Sequence, residues 1–119
     1  MTRPFLITEE RPASDDATLV VRVPAGINRK RKLLAVYARQ LRFPCYFGWN
    51  WDAFEDALRD LSWLHGVQRV IISHRDVPFG EAPEQQEIYV SILADRVEFA
   101  AEHSLPVEVR FPHEVDSYK

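Results

Sequence analysis

One cysteine in 119 residues excludes an internal disulfide, and no four-cysteine or Cys/His spacing of a metal site occurs. No segment approaches the ~20 apolar residues of a membrane span. The opening stretch, MTRPFLITEERPASDD, lacks the unbroken apolar run of a signal peptide. There is no Gly-rich phosphate loop, no HExxH and no GxSxG. No internal repeat or low-complexity tract breaks the chain. Charge of one sign is not in excess either: 18 acids face 15 bases, for a net charge of −3. That balance argues against general nucleic-acid binding, which favours basic domains. Together these absences predict a cytoplasmic protein in a reducing compartment. No metal, cofactor, membrane or nucleic-acid partner is expected, and the chain is expected to be a monomer. A domain of this length buries roughly 65% of the surface of its unfolded chain, enough to fold without staples.

What is present reads as one domain over residues 1–119, with a core at about 18–111 and an N-terminal extension over 1–17. Thr18 to Val23 is rich in β-branched residues and predicts a strand. Asn28 is positioned to cap a helix over 29–42, where Leu33, Val36, Tyr37 and Leu41 recur at helical spacing. Phe43-Pro44 ends that helix, because proline disfavours helical geometry in the residue before it. Residues 44–49 form a loop in which Gly48 permits a turn that a side chain would resist. Asn50 caps a second helix from Trp51 to about Leu61. Val67 to Ser73 predicts a buried strand, and 74–83, with its prolines, a loop. Residues 84–102 predict a third helix, with Ile88, Ile92, Leu93, Val97, Phe99 and Ala100 as its apolar face. Pro106 to Phe111 alternates as a last strand. Helical crossovers between strands imply a parallel sheet. The expected fold is therefore α/β, with a small three-stranded parallel sheet packed by helices. Phe5-Leu6-Ile7 is a candidate further edge strand.

The segment FPCYFGWNWDAFEDAL, 43–58, holds the most informative pattern. Five aromatics fall in its first nine residues, and Asp52, Glu55 and Asp56 follow. A step of about 100° per residue from Trp51 puts Phe54, Leu58 and Leu61 in one band, facing the core. Asp52 and Asp56 fall almost opposite, flanked by Glu55 and Asp60. The helix dipole favours Asp52 in the first turn but does little for Asp56. The two are also like charges at i,i+4, which is mildly unfavourable. Local stability thus explains Asp52 and not the pair. Tyr46 and Trp49 are expected to stay partly exposed beside these acids, as anchors of a protein interface do.

At these residues the sequence resembles the barstar family, intracellular inhibitors of barnase-type ribonucleases. Pro44, Tyr46, Gly48, Asn50, Asp52, Ala53, Asp56, Ala57 and Leu58 fit its pattern, and the similarity runs from about Leu19 to Phe111. The resemblance implies inhibition by plugging: the second helix and its preceding loop enter a ribonuclease active site, with acids mimicking RNA phosphates. It implies Asp56 as the central acid, with Tyr46, Asn50 and Asp52 beside it. A further family acid on the last long helix has Glu98 as its nearest counterpart. The implied partner is a basic ribonuclease or toxin domain. The chain also departs from the family: Glu55 stands where the family has a tryptophan before the central aspartate. Trp49 and Trp51 replace smaller or charged residues. All three sit on the expected contact face and suit an altered partner surface.

Three other readings compete. Asp52, Glu55 and Asp56 as paired carboxylates or Mg²⁺ ligands would make an enzyme, but the rest of a catalytic site is missing from the sequence. Cys45 with one of four histidines would make a thiol–imidazole pair, yet a small residue in an aromatic loop accounts for it. The basic run Arg29 to Lys32 resembles a nucleic-acid contact, or is a solvated helix start that opposes the dipole. A non-inhibitory interaction module that uses the same acidic and aromatic surface for another basic partner remains the alternative to a nuclease inhibitor.

Overall fold

The computed structural model describes residues 4–99 and 104–115. Its elements are β1 (Phe5–Ile7), β2 (Thr18–Val23), α1 (Lys30–Gln40), α2 (Trp51–Asp60), β3 (Arg69–His74), α3 (Pro83–Glu98) and β4 (Val107–Phe111). The strands form one parallel sheet in the order β1-β4-β3-β2. The expected three-stranded sheet is thereby corrected to four strands among the described residues. Phe5–Ile7 pairs with Val109–Phe111, and the buried Phe5 ring meets Phe111 edge-on at 5.0 Å. That apolar contact gives a three-residue strand its reason to add to the edge.

The register separates the two faces of the sheet, because side chains alternate along each strand and paired residues share a side. Val21 and Val23, Val70 and Ile72, and Val107, Val109 and Phe111 are buried in the main core with the helices. The other face carries Arg22, Ser73, Glu108 and Arg110 around the buried Val20 and Ile71. β2 and β3 are joined through α1 and α2, and β3 and β4 through α3. Right-handed crossovers stepping in one direction across a sheet put their helices on one side. The outer edge of β2 is covered by a side chain: the Arg22 N–H donates to Gln40 Oε1 at 2.7 Å, and Gln40 Nε2 donates to Arg22 O at 2.9 Å. That amide closes the ladder of the edge strand at Arg22.

Several expected boundaries move. Asn28 does not cap α1; its Oδ1 accepts from the Glu81 N–H at 2.9 Å, and Arg29 stands at the cap without a side-chain bond. α1 ends before Phe43-Pro44, because Arg42 turns left-handed (φ 55°) and the Phe43 N–H reaches Ala38 O at 2.9 Å. Such a closure satisfies the last carbonyls of a helix without needing the proline. α3 ends at Glu98, and residues 100–102 of the expected helix lie outside the described residues. Ile92 and Leu93 are buried as expected, but Ile88 is 38% exposed and its place belongs to the fully buried Tyr89. His74, expected in a loop, is the buried last residue of β3.

Candidate functional site

The loop before α2 is built on rings. Phe43 packs against Phe47 at 4.7 Å and against Trp63 at 5.9 Å, and the Trp63 indole N–H donates to Leu41 O at 2.8 Å. Gly48 serves close approach rather than a special turn. A Cβ there would sit 3.3 Å from Ala53 Cβ and 3.4 Å from Asn50 Nδ2. The left-handed residue is instead Trp49, at φ 55°. Such a conformation in a bulky residue costs about 1 kcal/mol or more. Its indole lies between Phe47, at 5.4 Å, and the Arg31 guanidinium, at 4.8 Å, and is 37% exposed. Arg31, from the basic run of α1, is thus part of this surface.

Asn50 caps α2 as expected: its Oδ1 accepts from the Ala53 N–H at 2.8 Å. Phe54 and Leu58 are buried, while Asp52, Asp56 and Asp60 are exposed and Glu55 is half-buried. None of these four carboxylates has an ion-pair partner among the described residues. Trp51 turns toward α3: its indole N–H donates to Gln85 Oε1 at 2.9 Å, and its ring packs on Phe54 at 5.8 Å and Phe79 at 5.9 Å. It clamps the start of α2 more than it offers contact area. Tyr46 is 81% exposed. A groove of about 240 Å³ runs between loop and helix, lined by Tyr46, Phe47, Gly48, Asp56, Asp60 and Trp63 among others. Aromatic walls with carboxylates at the rim fit a cationic side chain: its apolar stem or ring lies inside and its charge meets the acids. Glu98 is exposed at the end of α3 and does not line this groove.

Two supports escaped the sequence pattern. Arg96 of α3 is buried; its Nε donates to Leu58 O at 2.5 Å and its Nη2 to Leu105 O at 2.6 Å. It thus satisfies a carbonyl near the C-terminus of α2, where a cation also suits the dipole. Burial, and then the nearby Arg59 charge, lowers its pKa. Its signal was its place on the buried Tyr89–Leu93–Arg96 stripe. The second support is a buried polar chain. The Arg110 carbonyl can only accept from His74 Nδ1, at 2.8 Å, so Nδ1 carries the proton and Nε2 accepts from the Tyr89 hydroxyl at 2.7 Å. The Tyr89 oxygen in turn accepts from the Tyr37 hydroxyl at 2.6 Å. Burial lowers the His74 pKa to about 4 and raises those of both tyrosines, so all three are neutral. Phe54 of α2 rests on this chain, 4.7 Å from the Tyr37 ring and stacked at 6.2 Å on Tyr89.

Among the described residues no three of His, Cys, Asp and Glu are placed to hold a metal ion, and no helix is long and apolar enough to cross a membrane. Cys45 is exposed, and among the described residues no histidine is hydrogen-bonded to it. No curated protein and no solved structure matches the chain. The sequence model of one family, described as Barstar (barnase inhibitor), matches residues 18–112. That match takes in β2 to β4, α2 and the loop before it, and on it the chain belongs to the barstar family.

Proposed function

We propose that the chain is a proteinaceous inhibitor of a barnase-type ribonuclease or a related toxin domain. In this reading, α2 and the loop from Pro44 to Asn50 enter the enzyme's active-site cleft. Asp52 and Asp56 replace RNA phosphates and pair with the basic groups that bind them. Tyr46 packs on the cleft rim, and the groove beside it receives a cationic or imidazole side chain.

One observation carries the reading: Asp52, Asp56 and Asp60 are exposed on one ordered helix and unpaired within the described residues, next to an exposed tyrosine. Local stability accounts for Asp52 in the first turn but not for Asp56 or Asp60. Asp60 in the last turn opposes the helix dipole, and the i,i+4 spacing sets like charges near one another. Such a row meeting a basic cleft accelerates encounter by steering and sets the register of the complex. Arg96, Trp51 and the Asn50 cap hold the helix rigid beforehand, so little ordering is left to binding.

Arg31 over Trp49 favours a second reading. A cation beside the acids suits a partner with an acid of its own, and Glu55 changes the same face. The surface then serves a different basic partner and no nuclease is inhibited. Titrating the protein into a barnase-type ribonuclease while following RNA cleavage separates the two. Inhibition predicts stoichiometric loss of cleavage. Cleavage unchanged at molar excess across a panel of barnase-type ribonucleases rejects inhibition of that enzyme class and leaves the module reading.

A further inference from the structure

The four parallel strands end together, and the segment after β1 crosses that end on its way to the opposite edge of the sheet. Beneath it lies a cavity of about 370 Å³. Glu9, Glu10 and Arg11 wall it from the crossing segment, Arg22 and Ser73 from the ends of β2 and β3, and Arg75 from just past β3. It shares no lining residue with the groove beside α2. Its crossing wall also precedes residue 18, where the family match begins, so the extension of this chain builds the cavity onto the family fold.

Three arginines from three separate segments line this cavity: Arg11, Arg22 and Arg75. Arg22 is fixed: its Nη2 donates to Pro12 O at 2.8 Å, and its backbone is clamped on both sides by Gln40. The Arg75 N–H donates to Val23 O at 2.9 Å, which holds its backbone at the mouth. The side chains of Arg11 and Arg75 make no hydrogen bond or ion pair among the described residues, and Glu9 and Glu10 do not neutralise them within ion-pair distance. Placing like charges around one cavity has no local benefit. The volume falls within the range of small-molecule sites, well beyond a bare ion.

We propose that this cavity binds a small phosphate-bearing molecule. Phosphate offers three acceptor oxygens and close to two negative charges, which suits several guanidinium forks better than a single carboxylate does. Arg11, Arg22 and Arg75 hold the phosphate. The Ser73 hydroxyl and the Glu9 and Glu10 carboxylates face the rest of the ligand, where hydroxyl or amino groups match them.

Calorimetric titration of the whole chain with ribose 5-phosphate, inorganic phosphate and ribose tests this. Saturable one-to-one binding of ribose 5-phosphate is expected, weaker for inorganic phosphate and absent for ribose. Arg75→Ala and Arg11→Ala, both exposed positions, should each weaken it by about tenfold or more, as loss of a charge-assisted hydrogen bond does. Asp56→Ala should leave it unchanged, so the result stands apart from any ribonuclease inhibition. The proposal is overturned if neither phosphate compound binds saturably at millimolar concentration. It is equally overturned if inorganic phosphate binds as tightly as ribose 5-phosphate, or if binding survives Arg11→Ala and Arg75→Ala combined.

Discussion

The α2 face and the carboxyl end of the sheet carry opposite charges in opposite settings. On α2, acids repeat along a regular helix that is capped, clamped and backed by Phe54 and Leu58. At the sheet end, arginines arrive from the end of β2 and from two irregular segments far apart in the chain, one of them outside the family match. The first is an aromatic-edged helix face with a groove beside it, suited in the proposed reading to a protein. The second is a concave cavity suited to a small anion. The difference teaches that one core can carry the two kinds of recognition proposed, provided the element under each is rigid. That rigidity has a shared source in the His74–Tyr89–Tyr37 chain, which ties β3, α3 and α1 together beneath both regions.

Acid should break both regions at once, and this is the largest effect expected. Burial holds the His74 pKa near about 4, against 6.5 for the free group. Between those values the unfolded chain takes up a proton that the folded one refuses. Stability from this group is therefore complete above about pH 6.5 and lost as pH falls toward about 4, for a total near 3 kcal/mol. Urea denaturation of wild type and His74→Gln across that range measures it. The variant, less stable at neutral pH, should lose that part of the slope; an identical slope in both would contradict the assignment.

Asn50→Ala should separate the regions. Loss of the cap costs about 1 kcal/mol of stability and frays the first turn of α2 around Asp52. Ribonuclease binding should fall while ribose 5-phosphate binding stays as it was, by calorimetry on the same sample. Arg31→Ala is the finest probe of the acidic side. The cation–π contact with Trp49 is worth about 0.5–1 kcal/mol, and its loss should change tryptophan fluorescence and lower the melting point slightly. Unchanged fluorescence would mean that Arg31 does not order the indole in solution.

The acidic surface was legible because helical period is a local property. Asp52, Asp56, Phe54 and Leu58 lie within seven residues, so spacing alone separates the two sides, and Asn50 marks the start. The exposure of Tyr46 and Trp49 followed from crowding, since one loop cannot bury so many rings. The orientation of Trp51 depended on Gln85, thirty-four residues away, and no local rule reaches that far. β1 was too short for its own strand signal, and it depends on Phe111 at the other end of the chain. His74 read as a scattered polar residue because its partners, Tyr89 and the Arg110 carbonyl, come from α3 and β4. The arginine cluster was invisible for the same reason: only the topology brings positions 11, 22 and 75 to one end of the sheet.

The central claim is that Asp56 stands at the centre of a phosphate-mimicking contact, and replacing it tests that most directly. Asp56→Ala should weaken binding to an inhibited barnase-type ribonuclease by about 2 kcal/mol or more, a magnitude taken from hot-spot truncations that include the family's namesake complex. Folding stability should change by about 0.5 kcal/mol or less, since the side chain is exposed and unpaired among the described residues. Affinity that survives Asp56→Ala in a correctly folded protein would contradict the account.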